Sequence, residues 1–239
     1  ASKIPDLVKR AKELNMPAVG ITDHGNMHGA YEMWSTAVKE GVKPIIGIEA
    51  YVTPETARQD QTRVSWDTNW NPDIDPQHRR RNPNDVSGGG LITHLTMWAE
   101  TDEGLVNLMK ASTDANLEGR VMRYPRMDKE ILAKYSKGII ASSGCPSGII
   151  QTRLLLGQFD EALRAAGELQ DIFGRDNFYI EFMDHGLKIE KQVTDGLLDI
   201  AKKLNAPLLA TNDSHYVRAE DAGSQDAMLC INSGSTLDE

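Results

Sequence analysis

The sequence predicts an α/β fold in which a parallel sheet is flanked by helices, open or closed into a barrel. Two observations lead there. Short apolar runs rich in β-branched residues alternate with longer stretches of helical periodicity along most of the chain, the pattern of strands joined by crossover helices. Five of these runs also carry metal-capable side chains within them or just beyond them, as expected where strand ends converge on one rim.

The elements follow in order. Residues 5–14 place Leu7, Val8, Ala11 and Leu14 at helical spacing, with Pro5 in the first turn, where its missing N–H costs nothing. PAVGIT (17–22) reads as a short buried strand, and a helix is expected over 27–40. KPIIGIEAYVT (43–53) and GLITHLTMWA (90–99) read as the next two strands, followed by a helix over 103–115 with Leu105, Leu108 and Met109 on one face. A short helix over 128–136 precedes the strand GIIASSG (138–144). Helices are expected over 147–156 and 158–173, the second with Phe159, Ala162, Leu163, Ala166, Leu169 and Phe173 in one stripe. FYIEFM (178–183) is a strand, 187–204 a helix, PLLATND (207–213) a strand, and a helix from Glu220 closes the chain.

Residues 54–90 break this rhythm with many Pro, Asn, Asp, Arg and Gly residues, and read as an insertion within a single domain over 1–239. Its Arg79-Arg80-Arg81 run fits either a phosphate contact or a solvated loop. SGGG (87–90) fits a flexible return, since no helix follows it to cradle a phosphate.

With 239 residues there is ample chain for a core. No apolar run reaches the ~18 residues of a membrane span and no signal peptide is visible. Cys145 and Cys230 stand far apart, so a disulfide scaffold is not expected and a reducing cytoplasm is the default. The net charge of −9 argues against a broad electrostatic grip on nucleic acid, so a phosphate-bearing substrate would be received locally, by metal ions or a small basic patch. The chain opens on Ala1 and runs almost directly into a helix, which suggests a fragment.

The polar residues of the strands carry the functional reading. VGITDHG delivers Asp23 and His24, PIIGIEAYV contains Glu49, LITHLTMWA contains His94, IIASSGC ends at Cys145, and LLATNDSH supplies Asp213 and His215. In extended backbone, residues two apart share a side, so Asp213 and His215 would aim at one point. A carboxylate as deep in an apolar run as Glu49 needs a cation beside it, either a metal or a basic side chain. Taken singly, His94 also fits a hydrogen-bonded core histidine, His24 and His215 fit loop-end caps, and Cys145 fits a small buried hydrophobe. Gathered at one rim, imidazole, carboxylate and thiolate suit zinc, or zinc mixed with manganese or iron, better than magnesium. Asp23 reads as an orienter of its neighbour or a direct ligand, His185 as a contact to substrate phosphate or a helix-entry residue, His28 as solvent-exposed, His78 as uninvolved and Cys230 as core.

ITDHG, GIEAYV, THLTMWA, SSGC and ATNDSHY resemble, in order, the signature segments of the polymerase and histidinol phosphatase (PHP) domain family. The version here is similar to the PHP domain at the N-terminus of bacterial replicative DNA polymerase alpha subunits, of an actinobacterial type. The resemblance implies a distorted (β/α)7 barrel with up to three divalent metal ions at its mouth. It places His24, Glu49, His94, Cys145, Asp213 and His215 on ligand positions, with Glu49, His24 and Asp213 nearest the chemistry. It implies a metal-dependent 3′–5′ exonuclease that proofreads at the DNA 3′ end, joined to the remaining polymerase domains and, through them, to replisome subunits such as the sliding clamp. A scaffold without activity and a free-standing phosphomonoesterase are the alternatives. The family's first motif, a His-x-His pair on a first strand, is absent, so that strand is expected to be missing from this chain.

Overall fold

The computed structural model describes residues 2–67 and 88–237. The elements run α1 (Ile4–Glu13), β1 (Ala18–His24), α2 (Ala30–Glu40), β2 (Lys43–Val52), β3 (Thr93–Ala99), α3 (Asp102–Glu118), β4 (Arg120–Val121) and β5 (Tyr124–Met127). After them come α4 (Lys129–Tyr135), β6 (Ile139–Ser142), α5 (Ile149–Leu155), α6 (Phe159–Phe173), β7 (Phe178–Phe182), α7 (Lys188–Leu204), β8 (Leu208–Ala210) and α8 (Ala222–Ser233). The order is the expected one, with an added β4–β5 hairpin.

The eight strands form one mixed sheet in the order β4-β5-β2-β3-β6-β7-β8, with β1 paired to β2. Among the described residues this path is open. The expectation of a parallel sheet is corrected at β3, which runs antiparallel to both β2 and β6. The pairs β2–β5, β6–β7 and β7–β8 are parallel, and β4–β5 is antiparallel. A parallel neighbour needs a crossover, usually a helix. The connection from β2 to β3 contains no α-helix among its described residues, and β3 returns in the opposite sense.

The chain falls into two compact units. The first comprises Ala1–Ile21, His28–Ile46 and Asp213–Glu239. Its core is Val8, Ala11, Met33, Ala37 and Val42, which come together because α1 and α2 each present one apolar stripe. Gly41, left-handed at φ 74°, ends α2 and turns the chain into β2. The closing helix α8 contains no buried residue, so Cys230 is only partly covered and does not belong to a core.

The second unit comprises Thr22–Met27 and Gly47–Asn212. Strand alternation sends Ile48 and Ala50 of β2 and Leu95 and Met97 of β3 to one face, all at most 2 % exposed. Leu108 of α3, Ile131 of α4, Ile150 of α5, Leu169 of α6 and Leu197 of α7 cover that face. Each such side chain contributes roughly 1.5–3 kcal/mol through burial. The helices start where hydroxyl or carboxylate caps allow: Thr101 Oγ1 accepts the Gly104 N–H at 3.1 Å before α3, and Asp128 accepts the Ile131 N–H at 3.1 Å before α4.

Residues 54–67 have no helix or strand, and about half of them are exposed, yet Glu55, Arg58 and Trp66 anchor the segment. Arg58 binds Asp128, Glu118 and Glu130. Glu55 pairs with Arg153 and Arg164, and Trp66 is buried beneath the Arg153 guanidinium at 4.2 Å. The Arg79–Arg81 run and His78 lie outside the described residues. At the other end of the unit, β8 stops at Ala210, short of the expected limit, and Asp213 takes a left-handed φ of 41°. The same-side argument for Asp213 and His215 therefore fails, because the backbone between them is not extended.

Candidate metal centre

The other face of β2 and β3 carries Glu49, Tyr51, His94 and Thr96, since the register sets Glu49 opposite Thr96 and Tyr51 opposite His94. His94 Nδ1 lies 2.5 Å from Glu49 Oε1. His24, the last residue of β1, brings Nε2 to 3.3 Å from Glu49 Oε2. Gly25 makes this possible: at φ +68° its N–H donates to the Glu49 carbonyl at 2.9 Å, and a Cβ there would meet the Tyr51 ring at 2.6 Å. The strand end carrying His24 is thus pinned against the strand carrying Glu49.

Cys145 arrives from the loop after β6. The His94 N–H donates to the Ser147 carbonyl at 3.0 Å, tying that loop to β3. Gly144, at φ +80°, lets the loop pass close to the His94 carbonyl, 3.2 Å from where a Cβ would sit. The Cys145 Sγ stands 3.6 Å from Glu49 Oε1 and 3.5 Å from His94 Nδ1. Three of the other five residues expected as ligands therefore gather around the Glu49 carboxylate.

His24, Glu49 and His94 offer ligand atoms that all lie within 4.8 Å of one another. Among the described residues no lysine or arginine pairs with Glu49, although the carboxylate is only 5 % exposed. The basic side chains beside Glu49 are the imidazoles of His24 and His94. Burial pushes the Glu49 carboxyl up, but the His94 hydrogen bond, the two imidazole charges and Cys145 outweigh it and hold it below the usual glutamate range. A carboxylate kept ionised, two imidazoles and a thiol form a donor set that fits a divalent cation.

Asp213 and His215 belong to the first unit, where His215 Nδ1 lies 2.7 Å from the Asp213 carbonyl oxygen. His185 precedes α7, with Nδ1 2.5 Å from Glu190 Oε1. His28 is exposed, as expected. A cavity of about 220 Å³ lies between β2, β3 and helices α4–α6, lined by Val52, Leu95, Leu132, Ile149 and Leu169. His94 borders it, together with Glu55, Asp128, Lys129, Glu130 and Glu168.

Two features escape sequence reasoning. Glu181 sits in the apolar run FYIEFM as Glu49 does in its own, yet its carboxylate accepts hydroxyl hydrogens from Ser142 and Thr211 and is a buried structural group. Tyr124 and Arg123 stand in the β4–β5 hairpin beside Tyr51, and nothing in their local sequence marks them.

Comparison with known proteins gives a consistent result. A family model described as the PHP domain matches residues 1–185. The chain is 49% identical over 239 residues to DNA polymerase III subunit alpha of Mycobacterium tuberculosis (strain ATCC 25618 / H37Rv), covering 100% of this chain and 19% of that one. It is 52% identical over 239 residues to the same subunit of Saccharopolyspora erythraea, covering 100% of this chain and 20% of the other. For the subunit of Borreliella burgdorferi the identity is 37% over 238 residues, with 98% and 18% covered. The chain thus spans about a fifth of the length of these relatives. A crystal structure described as a metal-dependent phosphoesterase from Bifidobacterium adolescentis is similar with a TM-score of 0.48 and 16% identity, covering 90% of this chain and 83% of that one.

Proposed function

The chain belongs to the PHP domain family, and on that premise we propose that it hydrolyses the terminal phosphodiester at a DNA 3′ end, as a proofreading module of a bacterial DNA polymerase III alpha subunit. The observation that carries this reading is the buried Glu49 carboxylate, ringed by His24, His94 and Cys145 with no lysine or arginine partner among the described residues. Asp213 and His215 are proposed to complete the ligand set. Zinc is the proposed metal, with manganese or iron as substitutes, because thiolate and imidazole together favour it over magnesium.

A divalent cation bound there supplies Lewis acidity toward phosphoryl oxygens and acidifies water. The side chains do the rest. Glu49, ionised at neutral pH, holds the positive charge at the sheet face, and His24 and His94 fix its two oxygens in place. A water oxygen forms the new bond to phosphorus, the P–O3′ bond to the preceding nucleotide breaks, and the departing 3′-oxygen takes a proton. The products are a nucleoside 5′-monophosphate and a strand shortened by one. His185 is proposed to meet substrate phosphate: Glu190 holds its Nδ1, which directs Nε2 as the nitrogen for that contact. The other polymerase domains, and through them the sliding clamp, are the proposed partners, in the cytoplasm. No described helix is long and apolar enough to cross a membrane.

The test is Asp213→Asn in the full-length chain, followed by gel analysis of a primer with a mismatched 3′ nucleotide. Removal of that nucleotide is expected to fall at least a hundredfold while primer extension continues. Unchanged removal defeats the reading, and a protein purified without divalent metal favours a scaffold.

A further inference from the structure

We propose that Tyr51, Tyr124 and Arg123 form a platform that receives the unpaired 3′-terminal bases of a DNA strand beside the metal-binding group. The identity of the strand rests on the nuclease reading; the platform itself rests on different residues. Tyr51 stands in contact with the cluster, its ring centroid 6.1 Å from that of His24 and 5.5 Å from that of His94. Tyr124 meets Tyr51 edge to face at 5.1 Å and 87°. The Arg123 guanidinium lies over Tyr124, 5.3 Å from the ring centroid. The three groups make one continuous row leading away from the metal ligands.

The fold builds this row deliberately on one side of the sheet. Tyr51 shares the cluster face of β2 with Glu49, and β5 pairs with the end of β2 through Tyr51 and Arg126. The hairpin is held by a small core of Leu91, Ile92 and Val121 against which Tyr51 and Tyr124 pack. Its three arginines divide sharply. Arg126 is fully buried and donates to the carbonyls of Gly119, Leu91, Arg58 and Asp60. Arg120 and Arg123 are exposed, and neither has a carboxylate partner among the described residues. In a chain of net charge −9, Arg123, exposed beside the aromatic pair and without an acidic partner among the described residues, offers the local positive charge that a phosphate-bearing strand needs.

Aromatic faces and a guanidinium plane stack any base, so such a platform tolerates sequence. A paired base keeps its faces inside the duplex stack, whereas a mismatched and frayed one exposes them. The platform therefore favours ends that have come unpaired, which is the selectivity proofreading requires.

The full-length chain is titrated with a short single strand carrying 2-aminopurine as its 3′-terminal base and a phosphorothioate at the last linkage. Quenching of the fluorescence is expected on binding. Arg123→Ala and Tyr124→Ala should each weaken binding about tenfold, with Tyr124→Phe close to wild type. A probe with its 3′ end fully paired should show no difference between these proteins. Wild-type affinity in both alanine variants overturns the platform. Arg123 is exposed at the hairpin turn, so its variant decides the matter alone if Tyr124→Ala fails to fold. Release of nucleoside monophosphate from an unmodified strand is followed in parallel. Platform-dependent quenching without release removes the nuclease and keeps the platform, while release with unaltered binding in the variants does the reverse.

Discussion

Glu49 and His94 stand diagonally across the antiparallel β2–β3 pair with Oε1 and Nδ1 2.5 Å apart, and no lysine or arginine approaches that carboxylate among the described residues. A buried carboxylate held only by imidazoles and a thiol is the arrangement a cation completes. Replacing Glu49 with Gln keeps the shape and removes the charge. Divalent-cation affinity is expected to fall by more than about tenfold, since even residues that merely orient ligands cost that much. Isothermal titration of zinc and manganese into metal-stripped protein reads this directly, and unchanged affinity removes Glu49 from the centre.

Cys145 sets the preference among metals. Its sulfur, 3.5 Å from His94 Nδ1, is the one soft donor of the group. Cys145→Ser replaces it with a hard oxygen, so zinc affinity should drop about tenfold or more while manganese affinity changes little. Competition between the two ions, followed by elemental analysis after dialysis, distinguishes this from a general loss of the site. An equal loss for both ions would mean that Cys145 supports the fold of the loop and not the metal.

Much of this centre was legible because a polar residue inside an apolar run is costly and must be explained. Glu49, His94 and Cys145 each announce themselves that way, and His24 does so by closing VGITDH. The same pattern occurs at Glu181, where the hydroxyls of Ser142 and Thr211 donate to the carboxylate. Strand direction leaves no trace in periodicity, so the reversal of β3 was invisible. The β4–β5 hairpin was hidden for a different reason. Its turn places Met122 at φ 54° without glycine or asparagine, and Pro125 argues against a strand, so only the packing of Tyr124 on Tyr51 reveals it.

Arg58 ties residues 54–67 to the helical layer. Its side chain, 12 % exposed, reaches both oxygens of the Asp128 carboxylate and also Glu118 and Glu130. Arg58→Ala leaves the buried Asp128 without its counter-ion and is expected to cost about 3 kcal/mol of unfolding free energy. Lysine lacks the fork and should recover only part of it. Chemical denaturation measures the loss, and faster proteolysis within 54–67 locates it. A variant as stable and as resistant as wild type would mean that this segment is anchored by Trp66 and Glu55 alone.

Glu190 offers a pH signature. Its buried carboxylate accepts the backbone N–H groups of His185 at 2.8 Å and Leu187 at 3.2 Å, and faces His185 Nδ1. Burial raises its pKa, but the hydrogen bonds from the His185 ring and the two N–H groups, with the charge of His185, outweigh that and leave it lowered. A carboxyl depressed on folding adds stability above its unfolded value of about 4.3, and the addition disappears as pH falls through the folded value. Glu190→Gln should therefore cost about 1–2 kcal/mol at neutral pH. The gap between variant and wild type should close on acidification below about pH 4. Urea denaturation across that range follows it, and a gap that stays constant into acid shows that the charge of Glu190 contributes nothing.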